Sequence, residues 1–232
     1  MPVPTMKLSL HNPTLLQRLI PKKPLMHIIS HRHIHLPFSD KIRVHAGFIG
    51  NFVRAPRQTG SICPSSRFLV EGLLRALPKH KDGLVIDLGS GTGIVTDALL
   101  KRGVTPEQII AVECCESFAC TIRQRYPNVY VFADNACKLG QLIDTRYAET
   151  PVQAIVSSLP FRSIPHEVCA TIAGELIAIL QTHGGRLIQY SYAWWSRYPL
   201  AEYGFIPRFR YFVPRNVPPA IVEVYTAPHK KH

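Results

Sequence analysis

Residues 85–103 read VIDLGSGTGIVTDALLKRG, with Gly89, Gly91 and Gly93 packed into five positions directly after an apolar run. A strand–glycine–helix turn lets backbone approach a ligand closely because no Cβ intrudes. A dinucleotide fingerprint wants glycines at its first, third and sixth positions, and here the sixth is Ile94. No Gly-Lys-Ser/Thr follows, so a phosphate-cradling P-loop is excluded. Asp87 stands two residues before the first glycine, where a carboxylate repels a pyrophosphate and welcomes a cationic amino-acid moiety. Twenty residues beyond Gly93, Glu113 is placed to accept both hydroxyls of a ribose. Asp134 and Asn135 stand where an adenine amino group would need an acceptor. These types and spacings point to a nucleoside carrying a cationic amino-acid group rather than to NAD or ATP.

The elements that must position these residues alternate in type from residue 84 onward. Short apolar runs at 84–88, 108–113, 129–134, 153–159 and 185–192 read as strands. Helical spacing fills 92–102, 115–125, about 136–143 and 166–181, and a further helix over 65–77 precedes the first strand, capped by Ser65 or Ser66. Strands separated by helices imply a parallel sheet covered on both faces. The tail differs, since RFRYFVP and PAIVEVYT are strand-like runs with no helix between them, read as an antiparallel hairpin closing one sheet edge. Asp87, the glycines, Glu113 and Asp134 then fall at the carboxyl ends of neighbouring strands, where open α/β sheets bind ligands.

At 232 residues, 46% of them hydrophobic and 18% charged, the composition is globular, with room for one core and an appendage. The longest apolar run, VCATIAGELIAIL over 168–180, is interrupted by Glu175 and is too short to span a bilayer. The N-terminus lacks a continuous apolar stretch of the kind a cleaved signal carries. Six cysteines without paired CxxC spacing read as free thiols in a reducing cytoplasm. The net charge of +12 is unevenly spread: residues 1–70 carry +9, residues 71–180 carry −2, and residues 181–232 carry +5. Basic ends flanking a near-neutral middle point to a polyanion, either anionic lipid or nucleic acid.

VIDLGSGTG, AVE and FADN resemble the first three motifs of the class I S-adenosylmethionine-dependent methyltransferases, over about residues 65–226. The resemblance implies a Rossmann-like α/β fold, a mostly parallel seven-stranded sheet with a C-terminal antiparallel hairpin. It implies S-adenosyl-L-methionine as cofactor, with Glu113 on the ribose and Asp134 with Asn135 near the adenine. Asp87, Gly89, Ser90, Gly91 and Gly93 would form the first cofactor contact, and Ser157 would close it from the fourth strand. Methyl transfer is an in-line displacement, so the acceptor has to be presented at near-attack distance. Acceptor identity is written after the fourth strand, which here reads SSLPFRSIP over 157–165. Enzymes that methylate exocyclic base nitrogens place Asn or Asp where this chain has Ser158, so a nucleobase is the weaker reading.

SLPFRSIP is instead similar to a stretch of the bacterial phospholipid N-methyltransferases of the phosphatidylethanolamine type. FIGNFVRAPRQTGSICPSSRFL (48–69), IQYSY (188–192) and RNVPPAIVEVY (215–225) resemble further parts of that family. The resemblance implies stepwise methylation of phosphatidylethanolamine toward phosphatidylcholine. Ser158 and Leu159, with Tyr190 and Tyr192 from the fifth strand, are the substrate-positioning candidates, and no general base stands out. A dry wall from Leu159, Pro160 and Phe161 would lower an amine pKa and favour the neutral nucleophile.

Four segments follow: a Pro/His-rich basic extension over 1–39, an amphipathic docking helix and turn over 40–60, the methyltransferase domain over 61–227, and a basic tail over 228–232. In the second, Lys41, Arg43, Arg54 and Arg57 would be attracted to anionic lipid at about 1 kcal/mol each. Phe48, Ile49 and Phe52 would insert shallowly beside them. The expected partners are an anionic membrane surface and its phospholipid, with nucleic acid weaker and no obligate protein partner evident. The expected place is the cytoplasm, at the inner face of the membrane. His27, His31, His33 and His35 sit among prolines that argue against a metal scaffold, so no metal is expected. Two alternatives stay open: an RNA adenine N6-dimethyltransferase-like enzyme, and a non-catalytic lipid-binding module on the same scaffold.

Overall fold

The computed structural model describes residues 67–79, 82–192 and 199–229. Strand β1 (Leu84–Leu88) is buried at every position, which suits a sheet covered on both faces. Around it lie β2 (Ile109–Val112), β3 (Tyr130–Phe132), β4 (Val152–Ser157) and β5 (Arg186–Ser191), paired in parallel. The C-terminal strands β6 (Ile206–Val213) and β7 (Ala220–Thr226) form the antiparallel hairpin, with β7 inserted between β5 and β6. The seven strands run in the order β3-β2-β1-β4-β5-β7-β6. Order reverses between β1 and β4, and the crevice at their carboxyl ends is where such sheets bind ligands.

Helices α1 (Arg67–Arg75), α2 (Ile94–Lys101) and α3 (Glu116–Arg125) cover one face. Leu69, Leu73, Leu99 and Ile122 pack there on Val85, Ile109 and Ala111, the odd-facing residues of the central strands. Helices α4 (Leu139–Arg146) and α5 (His166–His183) cover the other face, where Leu139, Ile143, Ile172 and Leu176 meet Ile86, Leu88, Ile110 and Ile155. This strict division follows from strand alternation, since neighbouring residues point to opposite faces. Glu175, the charge inside the apolar run of α5, reaches the start of α4, where its Oε2 accepts from Gly140 N at 2.9 Å. A carboxylate at that helix start satisfies an otherwise orphan donor and meets the positive end of the helix dipole.

The predicted strands are all present, with no end displaced by more than two residues. Predicted helix 136–143 divides into a 3₁₀ turn at Ala136–Lys138 followed by α4, because Asn135 Oδ1 accepts from Cys137 N and caps the tight turn. Residues 1–66, with Lys41, Arg43, Phe48, Ile49, Phe52, Arg54, Arg57, the four-histidine tract, Ser65 and Ser66, lie outside the described residues. So do Trp194 and Trp195. Among the described residues, no helix is long and apolar enough to cross a membrane, and no cluster of His, Cys, Asp or Glu could hold a metal ion. The five cysteines described are free.

Candidate functional site

The glycine turn leaves the end of β1 with Gly89, Gly91 and Gly93 at φ values of 77°, 53° and 80°. That left-handed region costs an L-residue roughly 1–2 kcal/mol, which is why glycine recurs at every second position. At Gly89 a Cβ would also come within 3.0 Å of Leu159 Cδ2, so the glycine admits the chain that follows β4. Gly89 N and Ser90 N both donate to Val112 O, and Ser90 Oγ donates to Asp87 O, fastening the turn to β1 and β2.

Glu113 closes the turn from the end of β2. It is buried, its Oε2 accepts from Gly91 N at 2.8 Å and its Oε1 from Cys115 N at 2.8 Å. One carboxylate thus clamps the glycine turn to the start of α3. Cys114 Sγ also donates to Oε1 at 3.8 Å, so Oε2 is the oxygen that keeps a lone pair for the diol-accepting role read from the sequence.

Asp87 is wholly buried beneath the turn. Its Oδ2 accepts from Thr96 Oγ1 of α2 at 2.6 Å, while Oδ1 has no hydrogen-bond partner among the described residues. Burial pushes its carboxyl up from 3.8 to about 7, partly offset by the Thr96 bonds, with the Glu113 charge adding to the rise. Asp87 does not line the cleft; it stands behind it.

A shallow cleft opens at this end of the sheet. Gly89 and Glu113 line it, with Leu88 and Val112 as an apolar floor, Asp134 and Asn135 on the β3 side, and Leu159 on the β4 side. Asp134 Oδ1 accepts from Asn135 N at 2.6 Å, and Oδ2 pairs with Lys138 Nζ at 2.7 Å. Asn135 is buried, and its Nδ2 has no partner among the described residues. A buried donor left unpaired in a cleft wall is suited to an acceptor on a bound ring. Cys114, exposed to solvent, also lines the cleft.

On the β4 side Ser157 is buried, its Oγ accepting from Leu159 N at 3.3 Å, and Ser158 N donates to Leu88 O at 2.8 Å. The backbone then turns at once, with Phe161 N donating to Leu159 O at 3.0 Å. Leu159 and Phe161 are buried in the core, and of the three residues of the expected wall Leu159 lines the cleft. Tyr190 and Tyr192 stand elsewhere. Their rings meet edge to face with centroids 5.6 Å apart and pack against the core on the α1 side, opposite to the face that carries Leu159.

Thr96, Lys138 and Gln189 were not singled out by sequence reasoning. Gln189 Nε2 donates to Leu159 O at 3.0 Å and to Tyr190 O at 2.7 Å. A lone Gln in an apolar strand run was its only signal.

No protein-family model matches the chain. A curated relative, the ornithine lipid N-methyltransferase of Singulisphaera acidiphila, is 28% identical over 181 residues, covering 75% of this chain and 91% of the relative. Among solved structures, the 1,6-didemethyltoxoflavin-N1-methyltransferase of Burkholderia thailandensis, with its substrate and S-adenosylhomocysteine bound, aligns at a TM-score of 0.57 and 16% identity. That alignment covers 85% of this chain and 93% of that one. The cyclase SpnF aligns at a TM-score of 0.56 and 11% identity over 80% of this chain and 97% of its own, so the fold alone does not fix the chemistry. The chain has the Rossmann-like fold of the class I methyltransferases and, over three quarters of its length, resembles a lipid N-methyltransferase in sequence.

Proposed function

We propose that this chain is an S-adenosylmethionine-dependent N-methyltransferase whose acceptor is the amine of a lipid head group. The observation that carries the reading is that one cleft gathers the glycine turn, Glu113, Asp134, Asn135 and Leu159. The cofactor fits the donors and acceptors present. Glu113 would take the ribose hydroxyls and the unpaired Asn135 Nδ2 a ring nitrogen, while Gly89 keeps that wall of the cleft free of a Cβ. When bound, S-adenosylmethionine supplies an electrophilic methyl group on a sulfonium.

The chain's own part is to bind, orient and dry the acceptor. Leu159 is an apolar wall of the cleft, and burial beside it would disfavour an ammonium against the neutral amine that carries the lone pair. The turn fixed by the Leu159 carbonyl sets the approach, where an ångström of misplacement costs roughly a hundredfold in rate.

Phosphatidylethanolamine is the acceptor we favour, on the SLPFRSIP resemblance; ornithine lipid is the acceptor named for the relative, and both present an aliphatic amine. We further propose that the reaction takes place on an anionic membrane surface. In support, the large exposed apolar side chains among the described residues are Phe209, Phe212 and Val217, all on β6 and the turn after it. Exposed Arg208, Arg210 and Arg215 alternate with them. Aromatic side chains interleaved with arginine are the composition of an interfacial contact.

The test offers radiolabelled S-adenosylmethionine with vesicles of phosphatidylethanolamine, vesicles of ornithine lipid and total RNA side by side. Label in a lipid is expected. Label in RNA alone would overturn the reading in favour of a base methyltransferase, and failure to bind S-adenosylhomocysteine would favour a non-catalytic module.

A further inference from the structure

One residue row crosses all seven strands near their ligand-binding ends: Phe132, Val112, Leu88, Ser157, Gln189, Glu223 and Arg210 are successive register partners. It changes character in the middle. Leu88 and Val112 form the apolar floor of the cleft, and polarity begins at Ser157, where the chain leaves for the acceptor turn. Gln189 lies beside Ser157 in this polar half and is buried at 4% exposure.

Its amide is used asymmetrically. Nε2 donates to two carbonyls, Leu159 O and Tyr190 O, which fixes the amide's orientation. Oε1 has no hydrogen-bond partner among the described residues. A buried acceptor left unpaired costs stability, and an apolar side chain of the same shape would avoid that cost. What the amide gives in return is placement. The Leu159 carbonyl is held from two sides, by Gln189 and by Phe161 N, and the Leu159 side chain abuts Gly89 and lines the cleft. A single amide therefore ties β5 to the acceptor turn and, through Leu159, to the glycine turn.

We propose that Gln189 is a positioning residue, which holds Leu159–Phe161 so that the acceptor amine meets the methyl group in line. This rests on the N-methyltransferase reading above.

Gln189→Met in the full chain is the test, because Met keeps the length and removes both polar atoms. Expected are a kcat at least ~10-fold lower, an S-adenosylhomocysteine Kd within about twofold of wild type, and a Tm equal or higher. A merely structural role would lower Tm instead, and either that result or an unchanged kcat overturns the proposal. If wild-type protein binds S-adenosylhomocysteine but methylates no lipid, the acceptor reading fails while positioning is still decided by amide hydrogen exchange. Exchange at Phe161 N–H, which closes the turn, should then be at least ~10-fold faster in Gln189→Met; equal exchange overturns it.

Discussion

Replacing Asp87 by Asn should make the cofactor-free protein more stable at pH 8 and barely change it at pH 4. The carboxyl is wholly buried, one oxygen is bonded to Thr96, the other is unpaired, and burial lifts its pKa from 3.8 to about 7. An acid raised on folding binds more protons folded than unfolded between those two values. Stability therefore falls as pH rises from about 4 to about 7 and levels off above. With 1.36 kcal/mol per pKa unit, the full penalty at high pH is at most about 4 kcal/mol, and more than half of it develops between pH 5 and pH 8. Asn keeps an oxygen for the Thr96 hydroxyl and carries no charge, so its urea midpoint should lose much less over the same interval. Urea unfolding at pH 4, 5 and 8, with the same m-value, measures this directly. Equal pH profiles for Asp87→Asn and wild type would refute the claim that the buried charge strains the free protein.

Glu113→Gln keeps one acceptor but turns an NH₂ group toward either Gly91 N or Cys115 N; calorimetry should show S-adenosylhomocysteine binding weakened roughly 10- to 100-fold. Gly89→Ala forces a Cβ into left-handed backbone against Leu159, at about 1–2 kcal/mol; a Tm drop of about 2–8 °C is expected, and no drop would show that the turn can relax. Phe212→Ser combined with Val217→Ser should reduce co-sedimentation with phosphatidylglycerol-rich vesicles roughly tenfold, without changing the Kd for S-adenosylhomocysteine. Unchanged sedimentation would remove the β6 edge from the membrane-facing side.

The cofactor half of the site was legible because its signals are local. Gly89, Gly91 and Gly93 need positive φ, and their neighbours Asp87 and Ser90 lie within a few residues on the same turn. Glu113 needed only the rule that ligands gather at the carboxyl ends of parallel strands. What spacing did not give is how each group is used. Asp87 was read as a cofactor-binding carboxylate, and the structure adds that it stands beneath the turn with one oxygen on Thr96, a partner one helical segment away. Asp134 was read as an open acceptor, and Lys138, four residues along, already pairs with it. Periodicity sees faces of elements; it does not see which polar atom takes which partner.

The acceptor half was harder for a different reason. Tyr190, Tyr192 and Gln189 are neighbours in one strand, and the tyrosines draw the eye as groups that could hold an amine. Alternation decides among them: even positions 190 and 192 face α1, and position 189 faces the side that carries Leu159. That choice needs the register of β5 against β4, which pairs Gln189 with Ser157 across thirty-two residues of sequence that include all of α5. The register is set by burial of Leu187 and Ile188 on opposite faces, and a slip of one residue would exchange Gln189 for Tyr190 beneath the acceptor turn. The chemistry of that turn is thus written in a strand whose hydrophobic pattern, rather than its polar residues, decides which polar residue arrives.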